Sequence, residues 1–89
     1  LLANYPNPFN AETRISFELP EPSTVIIDVW SVAGVRVGEL LRGAFEAGRH
    51  SVTWHADALT SGVYFVRATQ LSPALHRVRT KVLKTLLQK

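Results

Sequence analysis

The side chains best suited to acid–base or metal chemistry in this sequence are three histidines and the carboxylates near them. His55 and Asp57 lie two positions apart, so on an extended backbone both side chains point to the same side. An imidazole and a carboxylate can both bind a metal ion, but a stable site usually needs three or four ligands. We therefore predict a polar loop in which Asp57 caps a turn, and not a metal centre.

A second candidate for chemistry is Asp28, which lies in an aliphatic run without another carboxylate close in sequence. We expect it to face solvent or to bond to a turn. The sequence holds no nucleophile elbow, phosphate-binding loop, dinucleotide glycine pattern or zinc-protease motif. It also has no cysteine for a disulfide or a thiolate metal site. We predict that the chain is not an enzyme and needs no cofactor, and we leave open a loop-bound Ca²⁺.

The composition is typical of one small folded domain, which we predict over residues 1–89. Apolar residues make up 46% and charged residues 19% of the chain, and this balance argues against disorder. No apolar run approaches the ~18 residues of a membrane span. The sequence begins with Leu1 and not Met, and we interpret it as a piece of a larger polypeptide.

Charge is divided unequally along the chain. Residues 1–60 hold four basic and seven acidic residues, a net charge of −3, whereas residues 61–89 hold six basic and no acidic residues, a net charge of +6. Such a basic segment could bind nucleic acid or anionic lipid. Nucleic acid is poorly supported, because no stacking aromatic residues interleave with Arg77, Arg79 and Lys81. These side chains could instead keep an edge strand soluble.

Apolar residues alternate with period two over most of the chain, which predicts β-strands. The strands are spaced about 8–12 residues apart with turn signals between them, so we predict an antiparallel β-sandwich of six or seven strands. Ile15, Phe17 and Leu19 form one inward face, and a turn at Gly34 joins the next two strands into a hairpin. The predicted strand segments are 14–19, 24–30, 35–40, 50–54, 63–68 and 76–83.

The last predicted strand decides where the basic side chains point. We expect Val78 and Val82 to face inward or to be half-buried, and the basic residues that alternate with them to face solvent. After Leu83 we expect the chain to fray or to turn helical. This assignment places a positive stripe on one outer face of the sandwich.

The aromatic residues are interpreted mainly as core. Trp54 shares a strand face with Val52, so we predict that it is buried, whereas Trp30 lies on the face opposite Val29 and could serve a sugar-binding surface. In the first segment, Pro6 and Pro8 restrict the backbone. There we expect Tyr5 and Phe9 to anchor the segment on the sandwich.

Two blocks of residues together resemble a known family. The first is the Asn-Tyr-Pro-Asn-Pro-Phe-Asn run of residues 4–10 with the Ile-x-Phe-x-Leu-Pro strand after it, and the second is the Ser-Gly-Val-Tyr-Phe block of residues 61–65. In this order the chain resembles the C-terminal sorting domains of the type IX secretion system (Por secretion tail, type A). The Ig-like domain of flagellar hook-capping proteins shares much of the early pattern.

The resemblance implies an Ig-like antiparallel sandwich of about seven strands at the C-terminus of an exported cargo protein. Such a module folds in the periplasm of a Gram-negative bacterium, is recognised by the outer-membrane secretion machinery, and is often removed by a sortase-like peptidase. The cargo is then secreted or attached to the cell surface. The resemblance assigns recognition to Lys81, Val82, Leu83 and Lys84, and structural roles to Pro6, Asn7, Pro8, Gly34, Gly62 and Tyr64.

Two other functions remain open from the sequence. The chain could be a structural Ig-like accessory domain that packs on, or spaces, a neighbouring catalytic domain. A carbohydrate-binding module that uses Trp30 is the third hypothesis. A sorting module depends on its C-terminal strand for export, an accessory domain does not, and a carbohydrate-binding module would bind polysaccharide.

Overall fold

Seven β-strands and one short 3₁₀ turn make up the fold in a computed structural model that describes residues 2–89. All strand pairs are antiparallel. The strands are β1 (Leu2–Tyr5), β2 (Glu12–Leu19), β3 (Ser23–Ser31), β4 (Arg36–Phe45), β5 (Gly48–His55), β6 (Gly62–Ser72) and β7 (Arg77–Leu87), with the 3₁₀ turn at Pro73–Leu75 between β6 and β7.

The strands form two sheets that pack as a sandwich. The three-stranded sheet has the order β1-β2-β5 and the four-stranded sheet has the order β4-β3-β6-β7. The predicted all-β antiparallel sandwich of about seven strands is therefore confirmed. Within residues 2–89 there is no helix long and apolar enough to cross a membrane.

The inward faces of β2 and β3 supply half of the buried apolar residues of the core, as the alternation predicts. Ile15, Phe17 and Leu19 are buried on one sheet, and Val25, Ile27 and Val29 are buried on the other. Because side chains alternate between the faces of a strand, burial of one face fixes the register of both strands. The core also contains Phe9, Trp54, Ala56, Tyr64, Val66 and Leu87.

The predicted hairpin between β3 and β4 is present, and its turn depends on Gly34. This glycine has φ +81°, a conformation that side chains with a Cβ rarely adopt. The Ser31 amide donates to the Val35 carbonyl (2.8 Å) and the Gly34 amide donates to the Ser31 carbonyl (3.0 Å). Beyond the turn, the β3–β4 ladder has two register shifts, which are typical of β-bulges. Val35, just before β4, and Val37, near its start, are exposed.

The prediction for β7 is wrong in both extent and facing. The strand continues past Leu83 to Leu87, whose side chain is fully buried, so the end is neither frayed nor helical. Val78 and Val82 are 63% and 59% exposed, and they point away from the other sheet. The core position of Leu87 fixes the phase of the strand, because every second residue must then lie on the inner side.

Candidate functional site

Residues 4–9, at the end of β1 and in the loop after it, form hydrogen bonds with the last strand, β7. Asn4 Nδ2 donates to Thr85 Oγ1 (2.8 Å), and Asn7 Oδ1 accepts hydrogen bonds from Thr85 Oγ1 and the Leu86 amide (both 3.2 Å). These contacts join residues almost at opposite ends of the sequence. The two asparagines therefore hold the C-terminal strand in register, a role that the sequence alone did not indicate.

Phe9 fastens the same segment through both its backbone and its side chain. Its amide donates to the Leu86 carbonyl (3.0 Å), and its carbonyl accepts from the Gln88 amide (2.8 Å). Its ring is buried with its centroid 5.0 Å from that of Trp54. The predicted anchoring by Phe9 is thus confirmed, but that by Tyr5 is wrong, since Tyr5 is 83% exposed.

The residues of the family motif in β6 support the fold. Gly62 has φ +152° at the start of the strand. Tyr64 is buried, its ring centroid lies 5.9 Å from that of Trp54, and its hydroxyl donates to the Thr60 carbonyl (2.7 Å). A buried tyrosine that bonds back to the chain a few residues upstream is the corner used in immunoglobulin-type sandwiches. Tyr64 therefore ties the loop before β6 to the core.

We predict that Tyr64→Phe destabilises the domain by about 1 kcal/mol, the net contribution of one hydrogen bond. The ring packing on Trp54 is kept, while the Thr60 carbonyl loses its donor. Chemical denaturation of the two proteins measures the difference. The matched control is Tyr5→Phe, because the Tyr5 side chain is exposed and should change the stability little. Equal stability of Tyr64→Phe and the unaltered chain would contradict the corner role.

The segment 81–84, expected to carry recognition, lies in the middle of β7. Thr85 and Leu87 lie on the inner side, so Lys81 and Leu83 lie on that side too, and Val82 and Lys84 lie on the outer side. Leu83 is half-buried against the core, while the other three are exposed. The four residues therefore do not share one face, and three of them are accessible to a partner.

The positive side chains of β7 do not share one face: Arg79 and Lys81 line an open cleft between the sheets, whereas Lys84 lies on the outer side. Arg79 and Lys81 lie on the inner side of β7, opposite Gln70 and Ala68 of β6. They form part of a cleft of 470 Å³. The apolar side chains that line it are Leu2, Phe17, Leu19, Pro20, Val25 and Ala68. The expectation of a solvent-facing stripe is wrong about the side of the sheet, although Arg77, Arg79 and Lys81 are all exposed.

The outer face of the four-stranded sheet carries a buried carboxylate. Asp28 is only 3% exposed, so the prediction that it faces solvent or a turn is wrong. Its carboxylate accepts hydrogen bonds from Arg67 Nη2 (2.8 Å) and Nε (3.1 Å), Trp30 Nε1 (3.0 Å) and Arg36 Nε (3.3 Å). Arg36 also donates to Glu39 (3.0 Å). The donors come from three neighbouring strands, so the network fixes their relative positions.

The surroundings of Asp28 set its pKa. Burial alone would raise the pKa, but hydrogen bonds from Arg67 and Trp30, the charge of Arg67 and a hydrogen bond from Arg36 together hold the pKa of Asp28 below its usual value. The carboxylate is therefore ionised at neutral pH, and its hydrogen bonds join β3, β4 and β6. The sequence signal was Asp28 and Trp30 two positions apart on one strand, but Arg67 could be assigned only once the β3–β6 register was known.

Trp30 is not a free platform for a sugar. The Arg67 guanidinium carbon lies 4.8 Å from the centre of its ring, and its indole nitrogen already donates to Asp28. The cation on the ring stabilises the indole through its quadrupole. A sugar would have to displace this arginine to stack on that face, so the geometry gives no support to a carbohydrate-binding function.

The histidines show no grouping suited to chemistry. His50 Nε2 lies 2.8 Å from the Glu46 carbonyl, and its ring stacks on Phe17 with the centroids 5.5 Å apart. His55 and Asp57 are both exposed, on either side of the buried Ala56. In the part of the chain that the structure describes, no three histidine, aspartate or glutamate side chains come together as a metal site would require.

The fold and its closure define an Ig-like β-sandwich whose first loop and last strand are locked together. A family model described as the secretion system C-terminal sorting domain matches residues 3–81, and the chain belongs to this family. It is a sorting domain for type IX secretion, a non-catalytic class of signal that serves export to the cell surface or the medium in Gram-negative bacteria. No curated protein matches the chain.

Proposed function

We propose that this domain directs an upstream cargo of the same chain across the outer membrane to the cell surface. It folds in the periplasm, is recognised by the outer-membrane machinery through β7, and is removed by a sortase-like peptidase. It carries out no catalysis itself. The observation that carries the proposal is a positively charged strand, accessible at Lys81, Val82 and Lys84, on a fold of the sorting family.

The basic side chains of Lys81 and Lys84 suit recognition by the secretion machinery, because both are exposed and a partner can contact them while the domain stays folded. Lys81 and Lys84 form no ion pair within residues 2–89. A charged partner would therefore not have to break an existing pair. Leu83 contributes differently, because it packs against the core and holds the segment in register.

The test must leave the core intact. Deleting residues 81–89 removes the buried side chains of Thr85 and Leu87, so loss of export by that deletion would reflect unfolding as well as lost recognition. The better variant is Lys81→Glu with Lys84→Glu, since both side chains are exposed. The charge control, Arg14→Glu with Arg49→Glu, makes the same change in net charge on two exposed residues of the other sheet. It also breaks the exposed ion pair between Arg49 and Glu18 (3.9 Å), which contributes little to stability.

We predict that the Lys81→Glu, Lys84→Glu double variant exports a fused reporter roughly thirtyfold less efficiently. Two charged contacts of about 1 kcal/mol each correspond to that factor in binding. Surface display in a bacterium with type IX secretion measures export, and thermal unfolding of the purified domain checks the fold. Normal export of this variant, or equal loss in the control variant, would contradict recognition through β7.

An accessory domain that packs on a neighbour is the second candidate. The outer face of β7 favours this alternative. Val78 and Val82 are exposed apolar side chains, four residues apart on the same face of the strand. Under this alternative, charge reversal at Lys81 and Lys84 leaves localisation unchanged. The same export experiment therefore separates the two functions.

A further inference from the structure

One side of β7 is an open sheet edge over part of its length. The strand lies last in the order β4-β3-β6-β7, so only one of its sides pairs with another strand. Near its C-terminal end the free side is already occupied. The Leu86 carbonyl accepts from the Phe9 amide, the Gln88 amide donates to the Phe9 carbonyl, and Asn7 caps the Leu86 amide.

These contacts show which backbone groups of β7 point away from β6. In an antiparallel ladder, a residue directs both its amide and its carbonyl either to its partner strand or away from it, in alternation. Since Leu86 and Gln88 point away, so do Val78, Thr80 and Val82. Within the described range, none of these three residues has a backbone partner on that side. The free stretch is residues 78–82.

We propose that this open edge is a docking site for an extended peptide that carries acidic side chains at alternate positions. An added strand would satisfy the free amides and carbonyls of Val78, Thr80 and Val82, as in other cases of strand addition. The segment of residues 7–9 already adds to the same edge, and Phe9 forms a parallel bridge with Leu87. The edge therefore accepts a strand where one is available.

Charge defines which strand fits. Arg77, Arg79 and Lys81 follow one another on the inner side of β7, and none forms an ion pair within residues 2–89. Cross-strand neighbours share a face, so every second side chain of an added strand would lie beside this row. Acidic residues suit those positions, and β-branched residues suit the alternate positions beside Val78 and Val82.

The same row disfavours a second copy of this chain as the occupant. If two β7 edges paired antiparallel about Arg79, that residue would oppose its own copy, and Arg77 would oppose Lys81. Like charges directly opposite one another destabilise strand pairs, and such side chains are a known protection of sheet edges. The charge pattern therefore disfavours pairing between the β7 edges of two copies and favours pairing with an acidic strand. This inference stands independently of the export function.

The test uses the 89-residue chain and a synthetic peptide of alternating glutamate and valine, long enough to pair with residues 77–83. Amide chemical shifts should change along residues 78–82. The key variant is Thr80→Pro, because proline is tolerated on an edge strand where its missing amide faces solvent. It removes one donor and obstructs the edge, so binding should weaken about tenfold or more. Thr80→Val keeps the amide and should bind like the unaltered chain.

A second variant tests the charge pattern, and the amide spectrum of each variant checks the fold. Arg79→Glu with Lys81→Glu should lose the glutamate–valine peptide and gain a lysine–valine peptide. Binding of the first peptide by folded Thr80→Pro with unchanged affinity would mean that charge alone holds it, as for an anionic lipid surface, and would overturn the proposal. So would an unchanged preference of the charge-reversed variant, or no binding by the unaltered chain.

Discussion

Replacing Phe9 by alanine is expected to destabilise the domain by about 3–5 kcal/mol, the range for removing a buried phenylalanine. The ring is 2% exposed, packs on Trp54 and belongs to the one core that both sheets share. A domain of this length has a total stability of about 4–13 kcal/mol. The variant should therefore unfold at a temperature roughly 15–30 °C lower, as measured by circular dichroism.

The matched control for this prediction is Tyr5→Ala. Both aromatic side chains belong to the same motif, but Tyr5 is 83% exposed, and its removal should change the free energy of unfolding by no more than about 0.5 kcal/mol. A loss of stability in Phe9→Ala as small as that in Tyr5→Ala would show that the motif acts only through its backbone. The amide of Leu86 should also exchange faster in Phe9→Ala, because its partner Asn7 is held by the same segment.

The difference between Phe9 and Tyr5 marks the limit of what the sequence could predict. Both are aromatic, and both flank prolines, so local chemistry assigns them the same anchoring role. Only the pairing of Phe9 with Leu87, a contact between distant parts of the chain, places one ring inside and leaves the other in solvent. The fold class needed no such contact, because strict alternation in β2 and β3 already defined a buried face.

The facing of β7 could not be predicted for the same physical reason. Its first half alternates valine with arginine and lysine, and local hydrophobicity points the valines inward. The true phase is set further along, where Thr85 is buried because it accepts from Asn4 and donates to Asn7. A polar residue in the core is stable when it is fully hydrogen-bonded. Its partners, however, lie more than seventy residues away in sequence.

Substituting Asp28 by asparagine is expected to lower the stability at neutral pH by about 2 kcal/mol. Hydrogen bonds to a charged group contribute about 1.5–3 kcal/mol each, but asparagine keeps one acceptor oxygen and the guanidinium groups of Arg36 and Arg67 remain partly hydrated. The variant leaves Trp30 and both arginines without the carboxylate that joins β3, β4 and β6. Denaturant unfolding at pH 7 measures the loss.

The pH dependence of this difference identifies its cause. The pKa of Asp28 in the folded protein lies below its usual value. In the unfolded chain we expect the reference pKa of aspartate, about 3.9. The ionised group therefore contributes stability that is fully present above the unfolded pKa and is lost as the pH falls through the folded pKa. The gap in stability between the unaltered chain and Asp28→Asn should narrow as the pH falls below about 4.

An exposed carboxylate of the same network provides the control. Glu39 also has a lowered pKa, because Arg42 and Arg36 donate to it, but it lies on the exposed surface of β4, where water replaces lost partners at little cost. Glu39→Gln should therefore leave the stability nearly unchanged at every pH. A gap for Asp28→Asn that stays constant from neutral pH to acid would show that packing, and not the ionised carboxylate, accounts for its effect. A difference in stability that disappears at acid pH assigns the effect to the ionised Asp28 carboxylate and its hydrogen-bond donors. These donors lie on the four-stranded sheet, whose edge strand is β7.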